Sequence, residues 1–140
     1  MKRDLYEEGI REPFIARWSK VIKANSQTNH IGAFWDILPT LAELAKTKTP
    51  KNIDGVSFAS SLIGTKGQKQ HEFLYWEFHE NGGVQAVRKG NWKAVKLNAA
   101  SHPEGEIELY DLSNDPQEQK NLANQFPDKA NELIKLIILA

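Results

Sequence analysis

His79 and its acidic neighbours Glu77 and Glu80 form the first group of side chains that could do chemistry. Histidine titrates near neutral pH and a carboxylate can orient its ring, so such a group could bind a metal or transfer protons. The segment alternates like a β-strand, however, so only Glu77 shares a face with His79, and no second histidine stands at ligand spacing. A surface histidine paired with a carboxylate is the favoured interpretation, and a role for His79 in substrate binding is the alternative.

A second group, Ser101-His102-Pro103-Glu104-Gly105, places a serine two residues before a proline, as in some nucleophile loops. No arginine follows at the expected offset, and no helix N-terminus follows that could stabilise an anion, so the pattern indicates a polar loop. His30 and His71 also stand singly in predicted loops. These residues therefore identify neither a catalytic nucleophile nor a metal site.

Composition excludes several classes of function. The 140 residues carry 18 basic and 18 acidic side chains, so no net field attracts nucleic acid or an anionic membrane surface. The absence of cysteine excludes disulfides and thiol nucleophiles. The first residues lack the apolar core of a signal peptide, and no stretch approaches membrane-spanning length. We expect no nucleic-acid partner and no membrane partner.

The second half of the sequence predicts an antiparallel sheet. Four strands are expected, with Gly-containing turns at Asn81-Gly82-Gly83 and Lys89-Gly90-Asn91 after the first two. They are Glu72 to Glu80, Val84 to Arg88, Trp92 to Leu97 and Ile107 to Leu112. The first is the clearest, because Tyr75, Glu77 and His79 alternate with the apolar residues of the other face.

Helices are predicted on either side of this sheet in the sequence. A helix from Asp36 to Lys46 has Asp36 as its N-cap and an apolar stripe, and a short helix ends at Gly64. The stripe consists of Leu38, Leu41, Ala42 and Ala45. Asp115-Pro116-Gln117-Glu118 predicts a helical turn, since it has an acidic N-cap, proline at the first position and glutamate at the third.

The last helix and one further strand complete the predicted fold. Pro127 begins a helix, and Phe14-Ile15-Ala16-Arg17-Trp18 reads as a short strand. The apolar face of the last helix consists of Ala130, Leu133, Ile134 and Ile137. The predicted fold class is α+β: a small antiparallel sheet of about four strands packed with a C-terminal amphipathic helix, plus an N-terminal strand and helix.

Five segments in order, over nearly the whole chain, match a known pattern. The first is Lys2 to Pro13, which is similar to a lysine-x-x-x-tyrosine-glutamate-glycine-glycine-(Ile/Val)-arginine-x-proline motif. The others are Phe34 to Leu41, Asp54 to Phe58, Gln85 to Lys93, and Leu109 to Leu112 continued by Asp115-Pro116 and Asn121-Leu122-Ala123. The chain thereby resembles the C-terminal portion of a type I sulfatase, a formylglycine-dependent, arylsulfatase-like member of the alkaline phosphatase superfamily.

The resemblance implies a role for Lys2 and a difference at Glu8. Lys2 corresponds to a family lysine that contacts the substrate sulfate, where a compact cation stabilises the negative charge of the transferring group. Glu8 stands where the family has the first glycine of its pair, and glutamate would be strained there if that glycine served a positive φ. His79 and Arg88 are further candidates for substrate binding.

The resemblance also implies which parts of the enzyme lie elsewhere. The family nucleophile is a formylglycine made from cysteine or serine in a Cys/Ser-x-Pro-x-Arg motif, beside a divalent cation, usually calcium, held by aspartates and an asparagine. None of these elements occurs in this sequence. Residues 1–70 are therefore expected to be the end of the catalytic domain, residues 71–140 a C-terminal subdomain, and Met1 a truncation point.

The expected function is that of a C-terminal fragment of a sulfuric ester hydrolase that helps to shape the substrate pocket and is inactive alone. Its expected partners are the rest of the parent chain and a sulfated small molecule or glycan. The resemblance implies an exported parent, in the periplasm, the extracellular space or the lysosome. Two alternatives stay open: a non-catalytic module that binds a sulfated glycan or a protein through Tyr75, His79 and Trp92, and a fragment of a related phosphoesterase.

Overall fold

The computed structural model describes residues 4–80, 82–102 and 105–140, which form two compact units. The first unit combines the described segment up to Pro13 with Glu72–Ala140, and the second is Phe14–His71. The N-terminal segment thus packs with residues far later in the chain. A boundary at residue 70 between a catalytic domain and a C-terminal subdomain stays a prediction.

The first unit contains a four-stranded antiparallel sheet in the order β1-β2-β3-β4. β1 is Leu74–Phe78, β2 is Val84–Lys89, β3 is Trp92–Lys96 and β4 is Ile107–Asp111. The predicted sheet is confirmed, and each strand begins and ends within two residues of its expected bounds.

Glycines make the two tight connections of this sheet possible. Gly82, Gly83 and Gly90 have φ angles of 85°, 78° and 60°, a region that other residues rarely adopt. A side chain at Gly83 would also approach the backbone nitrogen of Ala100 to 3.0 Å. Asn81, predicted in the first turn, lies outside the described residues.

Helix α4, Pro127–Leu139, covers one face of the sheet and has proline in its first turn. Its buried residues recur with helical spacing and pack against alternate residues of the strands. Together they form a core of Val87, Ala94, Leu109, Ala130, Leu133 and Ile137. The predicted C-terminal amphipathic helix is confirmed.

The opposite face of the sheet is covered in part by the N-terminal segment. Leu5 is buried there against Ala86, Val95 and Tyr110. A four-residue helix, α1, follows at Glu7–Ile10. A helix this short cannot show a periodic apolar stripe, so the sequence does not predict it.

The second unit contains a 3-10 turn at Phe34–Asp36 and two short helices, α2 at Ile37–Leu44 and α3 at Ala59–Ile63. Both predicted helices of this region are confirmed, and Gly64 ends α3 with a φ of 74°. Among the described residues, no helix combines the length and the apolar character that crossing a bilayer requires.

The burial of α2 differs from its predicted amphipathic pattern. Leu38 and Leu41 are 53% and 59% exposed, whereas Thr40 is buried. The Thr40 hydroxyl donates to the carbonyl of Asp36 at 2.6 Å and accepts from the N–H of Phe58 at 2.9 Å. A hydrogen-bonded polar face therefore packs inward, and two leucines of the predicted stripe face solvent.

Two local predictions are wrong. Phe14 to Trp18 forms no strand, and the Phe14 ring instead packs edge to face on the ring of Phe58, with centroids 5.4 Å apart. Asp115 to Glu118 forms a turn without a helix. An Asp115 carboxylate oxygen accepts from the N–H of Lys120 at 2.8 Å, and such side-chain bonds offer the backbone an alternative to a helix.

Candidate functional site

Lys93 lies at the centre of a buried ion network in the first unit. It stands on β3, its side chain is 0% exposed, and its Nζ lies 3.1 Å from Glu7 Oε1 and 2.8 Å from Glu118 Oε1. Alternation puts Lys93 on the same sheet face as the buried Val95. A charge in such a position is stable only when it is paired, and here two carboxylates pair it.

Arg88 brings a second cation into the network. The strand register sets Arg88 on β2 directly opposite Lys93 on β3, where like charges repel. Glu7 bridges them, because its Oε2 accepts from Arg88 Nη1 at 3.2 Å while its Oε1 faces Lys93. Two cations and two carboxylates therefore form a cluster without net charge.

Glu118 joins the network to the backbone of α1. Its Oε2 accepts a hydrogen bond from the N–H of Glu7, which, as the first residue of a helix, has no partner within the helix. Burial raises the pKa of Glu118, and the Lys93 ammonium and the Glu7 N–H oppose that rise. Glu118 also has a φ of 54°, a conformation that costs a residue other than glycine about 1–3 kcal/mol.

The residues just before Glu7 are held as well. The Tyr6 hydroxyl donates to Glu108 Oε2 at 2.5 Å. Burial, followed by this bond to a carboxylate, raises the pKa of Tyr6 well above its ordinary value. With Leu5 buried against the sheet, three consecutive residues are held by three different kinds of contact.

The difference from the family at Glu8 causes no backbone strain. Glu8 is exposed in the first turn of α1, and it is not among the residues with a positive φ. An acidic residue in the first turn of a helix interacts favourably with the helix dipole. The glutamate therefore fits where the family motif has glycine.

The residues predicted to bind substrate do not form a common pocket within the described part of the chain. His79 follows the end of β1, is 87% exposed, and has its Nδ1 3.8 Å from Glu77 Oε1. Arg88 pairs with Leu74 at the other end of β1 and points to the opposite face, toward Glu7. Lys2 lies outside the described residues.

An open cleft of about 780 Å³ lies beside α1. Its charged lining is mostly acidic, with carboxylates at Asp4, Glu7, Glu8 and Glu118 and a guanidinium at Arg11. Such a lining repels an anion, so a sulfate group would not be stabilised by these residues alone.

The second unit is organised around the buried Asp36. Its Oδ1 accepts from the N–H of Val56 and lies 2.8 Å from His71 Nε2, and its Oδ2 accepts from the N–H of Ala33 at 2.8 Å. Asp36 does stand at the predicted N-cap of α2, but its side chain makes no capping bond there. The carboxylate instead joins three segments of the unit.

His30 lies close to this carboxylate. Its ring stacks at a tilt on Phe58, with centroids 5.9 Å apart, and neither buried ring nitrogen has a hydrogen-bond partner among the described residues. Burial lowers the pKa of His30, the nearby Asp36 opposes that shift, and His71 adds to it. The neutral imidazole is therefore the form that the fold favours.

A family model described as "N-sulphoglucosamine sulphohydrolase, C-terminal" matches residues 1–137. The chain belongs to this family. It is 31% identical to arylsulfatase A of Bos taurus and 32% identical to an N-acetylgalactosamine-6-O-sulfatase of Bacteroides thetaiotaomicron, each over 97% of this chain. A solved 2-O GAG sulfatase matches 73% of the chain at 33% identity with a TM-score of 0.62. The resemblance to the C-terminal portion of sulfatases is confirmed.

This sulfatase segment is much shorter than its relatives. It spans 31% of the bovine arylsulfatase A, 28% of the Bacteroides sulfatase and 23% of the solved 2-O GAG sulfatase. Among its described residues, no group of three or more His, Asp or Glu side chains could hold a metal ion. The described residues therefore offer no set of ligands for the divalent metal of sulfatases.

The ion network does not stand out in the sequence. Glu7 and Glu118 are 111 residues apart, and nothing local relates them. The sequence does indicate that Lys93 is paired. Strand alternation places it on the same face as the apolar Val95, where a lysine needs an acidic partner. This placement shows that a partner exists but not which residue it is.

Replacing Lys93 with methionine should destabilise the first unit by about 3–5 kcal/mol, because Glu7 and Glu118 would remain buried near each other without their shared cation. Urea unfolding followed by circular dichroism measures the loss. Lys129→Met is the control, since Lys129 forms only a partly exposed pair with Glu132 on α4. Equal stability of the two variants would contradict the inferred role of Lys93.

Acidification should weaken the second unit through His30. Its pKa in the fold lies below the ordinary 6.5, so the unfolded chain binds more protons as the pH falls below 6.5, and the free energy of unfolding decreases. His30→Gln should flatten this dependence, while His102→Gln, at an exposed position, should not. Urea midpoints from amide NMR signals of the second unit, at neutral pH and at about pH 5, test the difference.

Proposed function

We propose that this chain acts as the C-terminal part of a sulfatase that hydrolyses the sulfate ester of a sulfated small molecule or glycan. The family match over residues 1–137 is the observation that supports this most strongly. In this proposal Lys2 contacts the substrate sulfate, and the chain shapes one side of the pocket. His79 is the second proposed substrate contact, since it is free of the buried network that holds Arg88.

The nucleophile and the metal belong to the preceding part of the parent enzyme in this proposal. The formylglycine would supply the nucleophile for the sulfate ester, and the divalent metal, calcium in the usual family pattern, would supply positive charge beside the sulfate group. In this proposal none of the described residues is a ligand of that metal. Its own part is to place a cation where negative charge develops. Export of the parent is proposed from the same resemblance.

An exposed apolar surface on the second unit supports the proposal that another part of the same parent chain packs against it. Phe34 is 76% exposed and lies four residues before Leu38, so it extends the solvent-facing stripe of Leu38 and Leu41 along the start of α2. Soluble proteins rarely leave such a patch uncovered. Since the relatives are three to four times longer than this chain, we assign the preceding part of the parent enzyme to this surface.

The isolated chain should self-associate through this apolar stripe. Replacing Leu38 and Leu41 together with serine should reduce the association, because the exposed apolar area falls while the buried face of α2 is untouched. Analytical ultracentrifugation over a range of concentrations measures it. Ile138 and Leu139, which are 75% and 79% exposed at the end of α4, provide the control pair of serine substitutions. Equal association of both double variants would count against the stripe as a docking surface.

The role of Lys2 is tested in the full-length parent. Lys2→Ala should lower kcat/KM for an aryl sulfate about 100- to 1000-fold, the loss expected for one group that stabilises charge in the transition state. Lys51→Ala, in an exposed loop, should leave kcat/KM unchanged. The 140-residue chain alone should give no turnover. Turnover by the chain alone, or full activity of Lys2→Ala, would contradict the proposal.

A further inference from the structure

We propose that the buried network of Lys93, Glu7, Glu118 and Arg88 positions the N-terminal segment for sulfate binding, with Lys93 and Glu118 as positioning residues. The inference depends on the proposed function, because it assigns the network to the segment that carries Lys2. None of the four residues is placed in contact with substrate. Their effect is exerted through the backbone of Asp4–Pro13.

The contacts on this segment fix it in several independent ways. Glu7 is held through its side chain by Lys93 and Arg88, and through its backbone N–H by Glu118. Tyr6 is held through its hydroxyl, and Leu5 through apolar burial. Contacts of these kinds, at consecutive residues, leave the segment little freedom to slide or to rotate on the sheet.

Chain geometry connects this fixed segment to Lys2. Lys2 stands three positions before Leu5, so their Cα atoms can lie at most roughly 10 Å apart. The position of Leu5 therefore limits where the Lys2 ammonium can reach. A shift of α1 on the sheet would therefore also shift the region that the Lys2 ammonium can reach.

The chemistry of the network favours a geometric role over simple stabilisation. Buried ion pairs are often no more stable than apolar residues of the same volume, whereas their hydrogen bonds require specific distances and directions. Glu118 pairs with Lys93 and accepts a hydrogen bond from the N–H of Glu7 while its φ is 54°, in a region that glutamate rarely adopts. The strained backbone of Glu118 costs free energy, yet the fold keeps it at a residue with these two contacts. This indicates that the fold preserves the position of the Glu118 side chain.

The test compares Glu118→Gln with Glu132→Gln. Each change removes one carboxylate charge from an ion cluster, but Glu132 lies on α4 and pairs with Lys89 and Lys129 at the surface. In this chain, Glu118→Gln should increase hydrogen exchange of the amides of Leu5–Ile10 at least tenfold while exchange in β2 and β3 stays unchanged. Glu132→Gln should change neither.

The same two variants are then compared in the full-length parent. At a temperature well below the unfolding midpoint of each variant, Glu118→Gln should lower kcat/KM for an aryl sulfate about tenfold to a hundredfold, the scale of a misplacement near 1 Å. Arg88→Met is the second variant if Glu118→Gln does not fold. It removes one partly exposed contact to Glu7, and it should lower kcat/KM in the same direction.

The outcomes separate this inference from the proposed function. If unmodified full-length parent hydrolyses no sulfate ester, the proposed function fails, whereas the exchange measurement still reports on the attachment of the segment. If exchange increases at Leu5–Ile10 but kcat/KM equals that of Glu132→Gln, the network attaches the segment without positioning Lys2, and the inference is overturned. Unchanged exchange in Glu118→Gln would overturn it as well.

Discussion

Lys93 places a positive charge inside the first unit, on the sheet face that also carries the buried Ala86 and Val95, and the surrounding segments are arranged to neutralise it. Arg88 directly across the strands adds a second cation, so the sheet alone would contain two facing like charges. The carboxylates that offset them come from α1 and from the turn after β4, neither of which belongs to the sheet. Charge balance on β2 and β3 therefore requires both of these segments to stay in place.

The two faces of this sheet are held by different physical interactions. On the face under α4 the contacts are apolar, between residues such as Val87 and Leu133, and apolar attraction has no preferred direction. On the other face the apolar contacts of Leu5 are combined with ion pairs and with the hydrogen bond from Tyr6 to Glu108. Burial alone would keep the N-terminal segment against the sheet, and the polar contacts determine where on the sheet it lies.

The parts of the structure that follow from local pattern could be predicted from the sequence. The four strands were predictable because apolar residues alternate between turns that contain glycine, and α4 because Ala130, Leu133 and Ile137 recur with helical spacing. The short α1 and the turn at Glu118 depend on partners more than a hundred residues away, which no local pattern contains. The face on which α2 is buried was not predictable either. An apolar stripe shows that a helix has a partner, but the inward face of α2 was decided by the hydrogen bonds of Thr40 to Asp36 and Phe58.

The two units differ in how completely each one covers its own apolar surface, and this difference separates their roles. The first unit closes its core with α4 and neutralises its buried cations with its own carboxylates, so its internal geometry is determined by its own residues. The second unit satisfies its polar groups internally, through Asp36 and Thr40, while Phe34, Leu38 and Leu41 stay exposed on one stripe. Internal polar contacts hold its segments together, and the exposed stripe is the surface proposed to contact the rest of the parent enzyme. Under the proposed function, the self-sufficient unit would hold the proposed sulfate-binding cation in place, and the docking unit would join it to the part of the parent enzyme in which the reaction takes place.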